Sequence, residues 1–294
     1  MGIPRPFDSV RYTVGRELVL DLLDEAPDRP PVAERPGYQQ FTKELRAHAD
    51  RHLDGTPGYF LLSGLDHLTE DQARRFAPLA SAALGDLLPQ DGRGTLLREV
   101  RDRGVELGEG LTGRYSDTRH GGNLHTDSPH RPGTVPDCFA LYCVHQAASG
   151  GSLVLVDLRD LTARLGDRPD LLKSLEQPVH FDCRDDTPGA PRTVVRPVLQ
   201  DTGGGTYRAH YLREYIEIGH GHESVTPLTA EQVEAFDALD ALLADPALQQ
   251  TDRLREHEMI FIDNRAVLHG RTPFTDGPVE AAKRLMLRTW ITFR

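Results

Sequence analysis

Seven short segments, at 137–146, 152–157, 179–183, 193–199, 206–211, 259–262 and 284–293, are rich in β-branched, aromatic and other apolar residues and are separated by Gly, Pro and Asp turns. This spacing constrains the fold more than any other feature, because a parallel sheet would need a crossover helix after nearly every strand. Helical signals gather instead at the front, with one more inside the β-rich region. Residues 39–53 read as a helix. Thr69-Glu-Asp-Gln is a capping box that opens a stripe of Ala73, Phe76, Ala80 and Ala83 or Leu84. Thr229-Ala-Glu-Gln repeats the device ahead of Val233, Phe236, Leu239, Leu242 and Leu243. The proline-rich stretch 26–36 reads as an extended arm. The expectation is a mainly β chain with flanking helices, built on a jelly-roll or sandwich core that binds ligands in its mouth. One domain is expected over 1–294: a helical support region at 1–90, and a catalytic jelly roll at 95–294 with a helical insertion near 229–243.

Composition narrows the partners. With 34 Lys and Arg against 45 Asp and Glu the 294-residue chain carries a formal charge of −11, and no basic cluster forms a stripe for phosphate backbones. Nucleic acid is therefore not an expected partner. No apolar run approaches the roughly eighteen residues of a membrane span, and the start lacks a basic region followed by an apolar stretch, so the expected location is cytoplasmic. Cys138, Cys143 and Cys183 are too few and too irregularly spaced for a disulfide framework or a four-thiolate metal site. Cys138 and Cys143, five apart in an apolar strand, read as small core residues. Oligomeric state is left open.

The chemistry concentrates in four separated pieces. In Gly121-Gly-Asn-Leu-His-Thr-Asp-Ser-Pro-His130, His125 and Asp127 are two apart, so an extended chain points both to one side. His269, in Asn264-Arg-Ala-Val-Leu-His-Gly-Arg, offers a second imidazole. Two imidazoles and a carboxylate on one face of an octahedral ion leave three positions free, the arrangement of non-haem Fe(II) oxygenases, whereas zinc prefers four ligands in all. Arg284, Met286 and Arg288 share one side of the last strand by alternation, and a buried bidentate arginine wants a carboxylate. Ser149-Gly-Gly-Ser152 supplies a tight bend and a hydroxyl that could meet the same carboxylate.

Taken together, His125-Thr-Asp127, Gly150-Gly-Ser-Leu, Asn264 to Arg271 and Arg284-Leu-Met-Leu-Arg288 resemble the taurine dioxygenase and clavaminate synthase-like superfamily of Fe(II)/2-oxoglutarate oxygenases over about residues 95–294. The resemblance implies a double-stranded β-helix, with His125, Asp127 and His269 as the catalytic metal ligands, and Fe(II), 2-oxoglutarate and O₂ as cofactor and cosubstrates. By the same resemblance Arg284 holds the far carboxylate of 2-oxoglutarate, helped by Ser152 where relatives often carry Thr. Arg288 falls where relatives use an arginine near the cosubstrate or on an acidic group of the substrate. Asp127 stands where halogenating relatives carry a small residue, which argues for oxygenation.

The implied reaction is hydroxylation of an unactivated C–H bond with release of succinate and CO₂, and the implied partner a small polar molecule such as an amino acid or derivative of natural-product pathways. Loop residues 114–123 and the stretch 207–222, rich in Arg, His and Tyr, are where its choice is expected to lie. Asn123, Leu124, Arg119, Arg213 and Arg288 are the candidate substrate contacts. Tyr211, Arg213 and Glu217 fit an amphipathic surface equally well, and Arg119, His120 and His130 fit a solvated loop. Desaturation, cyclisation or a catalytically silent cupin-like carboxylate binder would use the same barrel.

Overall fold

The computed structural model describes residues 7–26, 29–104, 115–185 and 189–294. The N-terminal part contains β1 (Arg11–Thr13), α1 (Arg16–Leu23), α2 (Pro36–His52), β2 (Tyr59–Ser63), α3 (Glu70–Ala82), β3 (Gly85–Leu88) and β4 (Arg98–Val100). It therefore supplies strands as well as the expected helices. These strands run only three to five residues, too short for alternation to show in the sequence. The second helix starts three residues ahead of the expected position because Pro36 sits in its first turn, where a missing N–H costs nothing. Its entry is fixed by buried Arg35, which donates to Pro30 O and Asp21 O at 3.0 and 2.9 Å. Within the arm, residues 27 and 28 lie outside the described residues and Val32–Glu34 makes one 3₁₀ turn.

The remainder runs β5 (Cys138–His145), β6 (Ser149–Gly150), β7 (Leu153–Asp157), α4 (Leu158–Leu165), α5 (Pro169–Leu175), β8 (Pro178–Asp182), β9 (Thr193–Pro197), β10 (Leu199–Gly203) and β11 (Thr206–Ala209). It continues with α6 (Arg213–His220), α7 (Ala230–Leu243), β12 (Gln250–Asp252), β13 (Met259–Asp263), β14 (Val267–Arg271), β15 (Phe274–Thr275) and β16 (Leu285–Phe293). All seven expected strands are present, with 193–199 split at Val198 between β9 and β10. Helices α4, α5 and α6 were not expected, because seven or eight residues carry too few turns to reveal a period.

A seven-stranded sheet in the order β1-β2-β13-β5-β16-β3, with β4 on β16, faces a smaller sheet β12-β7-β14. The fold is the expected double-stranded β-helix. Its core divides by strand alternation. On the small sheet Leu153, Leu155 and Val267 point inward and pack with the large sheet, while Val156 and Leu268 point outward against α4, α5 and α7. Cys138 and Cys143 are buried on β5 with free thiols, as expected.

Both capping boxes form. Thr69 Oγ1 accepts from Gln72 N at 3.3 Å and Thr229 Oγ1 from Gln232 N at 3.2 Å, and each Gln side chain reaches back to the cap N–H. On α7 the buried stripe is Ala235, Phe236, Leu239 and Leu243. Val233 instead faces solvent and Leu242 is half-buried. Helix α7 packs on α5, and Leu171 and Leu175 of α5 share a buried cluster with Ala235, Phe236, Leu239 and Leu243.

Candidate active site

The metal-ligand motif is placed by backbone pairing. Residues 122–125 run antiparallel beside β14, bridged to it at His125: His125 N donates to His269 O at 3.0 Å, His269 N to His125 O at 2.9 Å, and Gly122 N to Arg271 O at 3.3 Å. The two histidines are thus directly opposite neighbours, with ring centroids 4.6 Å apart. Gly270 makes the close approach possible, since a Cβ there would lie 3.0 Å from Gly122 O. Between the ligands Thr126 points the other way and exchanges hydrogen bonds with Tyr211, its N–H donating to Tyr211 O at 2.9 Å and its Oγ1 accepting from Tyr211 N at 3.0 Å. Asn264 then locks the Asp127 backbone, accepting from its N–H at 2.6 Å and donating to its carbonyl at 3.0 Å.

His125 Nε2 and His269 Nε2 converge on Asp127 Oδ1 at 3.9 and 3.8 Å, and the three ligand atoms lie within 4.8 Å of one another. Every group is prepared for a cation. His125 Nδ1 faces Asn123 O at 2.8 Å, which makes Nδ1 the protonated nitrogen and leaves the Nε2 lone pair for a metal. Burial, reinforced by His125, pushes His269 down to about 3, so its imidazole is neutral. Burial alone would raise the Asp127 carboxyl, but Arg288, the two imidazoles and the Trp290 N–H outweigh it and hold it below its ordinary value. Two imidazole Nε2 atoms and one ionised carboxylate, open on the cavity side, fit Fe(II).

Asp127 is steadied from the large sheet. Trp290 Nε1 donates to Oδ2 at 2.7 Å and Arg288 Nη1 to Oδ1 at 3.2 Å, leaving Oδ1 as the oxygen turned toward the imidazoles. Arg288 is itself held by fully buried Gln90, whose Oε1 accepts from Nε at 2.9 Å. Trp290→Phe removes a hydrogen bond to a charged group, worth about 1.5–3 kcal/mol. Anaerobic calorimetric titration should show Fe(II) affinity falling about 10- to 100-fold. Unchanged affinity would remove the indole from the metal centre.

Two cavities of about 80 Å³ each meet at His125 and Arg288. The first lies between the sheets, walled by Phe139, Leu141, Leu153 and Val100, and ends at Arg284 and Arg271. Arg284 is 2% exposed, and its Nε and Nη1 have no hydrogen-bond partner among the described residues. It precedes β16, where the register shifts between Leu285 and Met286, and still reaches the same cavity as Arg288. Burial pushes Arg284 down to about 10, and burial together with Arg284 does the same to Arg271. Both guanidiniums lie over the Phe274 ring, at 5.2 and 4.8 Å. Arg284 is buried and Arg271 half-buried, and two like charges beside one ring call for an anion such as a carboxylate. Arg271 was assigned no role from sequence. Its signal was its place two residues after His269 on one strand, which aims both side chains inward.

Other expected contacts lie elsewhere. Ser152 does not line the cavity; its backbone pairs with Thr272, and Gly151, at φ +71°, is the turn residue against Arg284, with a Cβ there 3.2 Å from Nε. The tight bend that brings the chain so close turns the glycine, not the serine, toward the guanidinium. Arg213 is a strut between α6 and α7, paired with Glu217, Asp237 and Asp240. Tyr211 is buried and donates to Asp240, and Glu217 is exposed, so the amphipathic-surface reading describes this stretch. Arg119 and His120 line a separate surface cleft with Asp102 and Lys283. Asn123 contributes its carbonyl to His125 and is otherwise exposed, and Leu124 packs on the outer core. Residue 114 of the expected substrate loop lies outside the described residues. His130, expected in a solvated loop, lines the second cavity, its ring edge-on to Tyr215 at 4.7 Å.

Comparison with known proteins agrees with this geometry. The family model for taurine catabolism dioxygenase TauD, TfdA family, matches residues 33–290. FR-33289 synthase of Streptomyces rubellomurinus is 24% identical over 255 residues, covering 84% of this chain and 73% of the relative. Asparagine oxygenase, solved with Fe(II), 2S,3S-3-hydroxyasparagine and succinate, superposes with a TM-score of 0.71 at 19% identity, covering 96% of this chain and 93% of the other. The non-heme iron oxygenase OrfP, solved with Fe, succinate and (3S)-hydroxy-L-Arg, gives 0.65 at 18% identity over 96% and 94% of the two chains. With most of its length matched and a His–Asp–His cluster assembled where two cavities meet, the chain belongs to the TauD/TfdA family of Fe(II)- and 2-oxoglutarate-dependent oxygenases.

Proposed function

We propose that this oxygenase hydroxylates an unactivated C–H bond of a small polar molecule, an amino acid or a derivative of one. The observation that carries the reading is the junction of two cavities at the triad, one of them closed by the buried, unpartnered end of Arg284. The amino-acid class is supported by the products bound in asparagine oxygenase and OrfP.

His125 Nε2, Asp127 Oδ1 and His269 Nε2 would hold Fe(II), and Arg284 would pair with the far carboxylate of 2-oxoglutarate. When bound, Fe(II) with 2-oxoglutarate and O₂ supplies the oxidising power: the substrate C–H becomes C–OH as the cosubstrate is converted to succinate and CO₂. The protein's contribution is placement and shielding. Arg284 at one end and the triad at the other fix both ends of a dicarboxylate. Phe139, Leu141, Leu153 and Val100 keep water from its middle. Arg288 and Trp290 keep Asp127 ionised and in one rotamer. The second cavity, on the far side of Asp127, is the place for the substrate.

Anaerobic addition of Fe(II) and 2-oxoglutarate should produce a weak visible charge-transfer band. Candidate amino acids that perturb it should also stimulate succinate formation in air. A protein that binds iron but never gives the band would contradict the reading.

A further inference from the structure

Gln90 is a fully buried amide whose contacts gather around Arg288. β3 pairs with residues 290–293 of β16 and β4 with residues 286–288, so the two short strands lie end to end on β16 and leave a gap in the ladder between Arg288 and Trp290. The segment joining them turns back on itself, Gln90 N donating to Thr95 O at 2.8 Å, and brings the Gln90 side chain to that gap. There Nε2 donates to Arg288 O at 2.7 Å and to Leu96 O at 3.1 Å, while Oε1 accepts from Arg288 Nε at 2.9 Å. The amide thus grips Arg288 by both its backbone and its side chain.

Each contact depends on the amide. The Arg288 Nε–H needs an acceptor and the two carbonyls need donors, a combination that glutamine carries in one group and an apolar side chain of the same length lacks. The grip matters because of where Arg288 stands. Its direct partner across the β4–β16 pair is Arg98, and like charges opposite each other on a sheet repel. Asp117 takes Arg98, accepting from Nη2 at 3.0 and 2.8 Å. Asp127 takes Arg288 Nη1 at 3.2 Å, a longer contact, through the same oxygen that faces the imidazoles. Arg288 also lines both cavities, so its long stem has open space on either side and rotamer freedom to lose. Fixing Nε removes that freedom and keeps Nη1 aimed at Asp127 Oδ1. Because Gln90 is uncharged, it does so without competing for the guanidinium's charge.

We propose that Gln90 is a positioning residue of the metal centre: acting through Arg288, its amide sets the direction from which Asp127 is held, and with it the affinity of the triad for Fe(II). The assignment rests on the reading of Asp127 as a metal ligand. Gln90 itself lines neither cavity, so its effect on the metal passes through the guanidinium.

Anaerobic calorimetric titration with Fe(II) tests this in a double-mutant cycle. Gln90→Met keeps the length and removes the acceptor and the donors; it should raise the Fe(II) Kd about three- to tenfold. Arg288→Met, which removes a direct partner of a metal ligand, should raise it roughly 10- to 100-fold. In the Arg288→Met protein, adding Gln90→Met should change Kd by less than about twofold, because the side chain it acts through is gone. A residue that only held the turn between β3 and β4 would weaken both backgrounds equally. Should Gln90→Met fail to fold, Gln90→Asn, whose amide falls one methylene short of Nε, carries the same expectations. An unaltered Kd in the folded Gln90 variant, or an undiminished loss in the Arg288→Met background, would overturn the role. The wild-type titration separates the two levels: if Fe(II) binds and the cycle shows no coupling, only the role of Gln90 is wrong, and if Fe(II) does not bind, the reading of the triad has failed and the role with it.

Discussion

His269→Ala is expected to reduce iron-dependent succinate formation to background while leaving the fold intact. His269 is one of three ligands and its imidazole is held neutral by burial, so no pH change or neighbouring group can replace its lone pair. Its backbone pairing with His125 does not depend on the side chain, so the neighbouring ligand keeps its place. The ring does pack 4.2 Å from Phe139, and its loss leaves a small cavity that lowers thermal stability without unfolding the protein. His125→Ala should behave alike. In Asp127→Ala the outcome is harsher, since Arg288 and the Trp290 N–H also lose the carboxylate that accepts from them. Anaerobic Fe(II) titration, succinate assay and circular dichroism on the three variants check this. Full turnover in a folded His269→Ala or His125→Ala protein would falsify the ligand assignment.

The second large effect is expected at Arg284. A carboxylate brought against a guanidinium 2% exposed, with Nε and Nη1 waiting, forms a desolvated ion pair, and removing one member of such a pair costs about 3–5 kcal/mol. Arg284→Ala should therefore raise the apparent KM for 2-oxoglutarate by about two to four orders of magnitude. Ser152→Ala should move it little, because Ser152 lies outside the cavity and only its backbone pairs with Thr272. Steady-state kinetics in 2-oxoglutarate, with the charge-transfer band as a binding readout, distinguish the two. Equal small effects from both variants would remove the distal-carboxylate role from Arg284.

Much of this site was legible before any fold was known. The metal pair lies within three residues of sequence, where extended geometry alone puts His125 and Asp127 on one side, and the opposed orientation of Thr126 shows that alternation at work. The two capping boxes were equally local, needing only a threonine and a glutamine three residues on. Cavity-facing Arg288 followed from its place on a long strand, whereas Arg284 reaches the same cavity from just before that strand, across a register shift. What these features share is that their determinants lie within a few residues of one another along the chain.

The rest depended on which strands become neighbours, and local sequence does not determine that. Gly151 rather than Ser152 meets Arg284 because the turn is pressed against Pro273 and the guanidinium by the closing of β6 on β15, a pairing of residues far apart in sequence. Arg213 becomes a strut because α6 is laid against α7, whose acids receive it. Arg271 and Gln90 acquire tasks because β14 faces the large sheet and residue 90 falls beside β16. The sequence by itself determined the β-rich class and the His–Asp–His cluster, and marked Arg284 as an arginine suited to a carboxylate, since period, spacing and side-chain chemistry act locally. Tertiary structure decided which polar groups are buried together, because desolvation and charge pairing depend on contacts between distant segments.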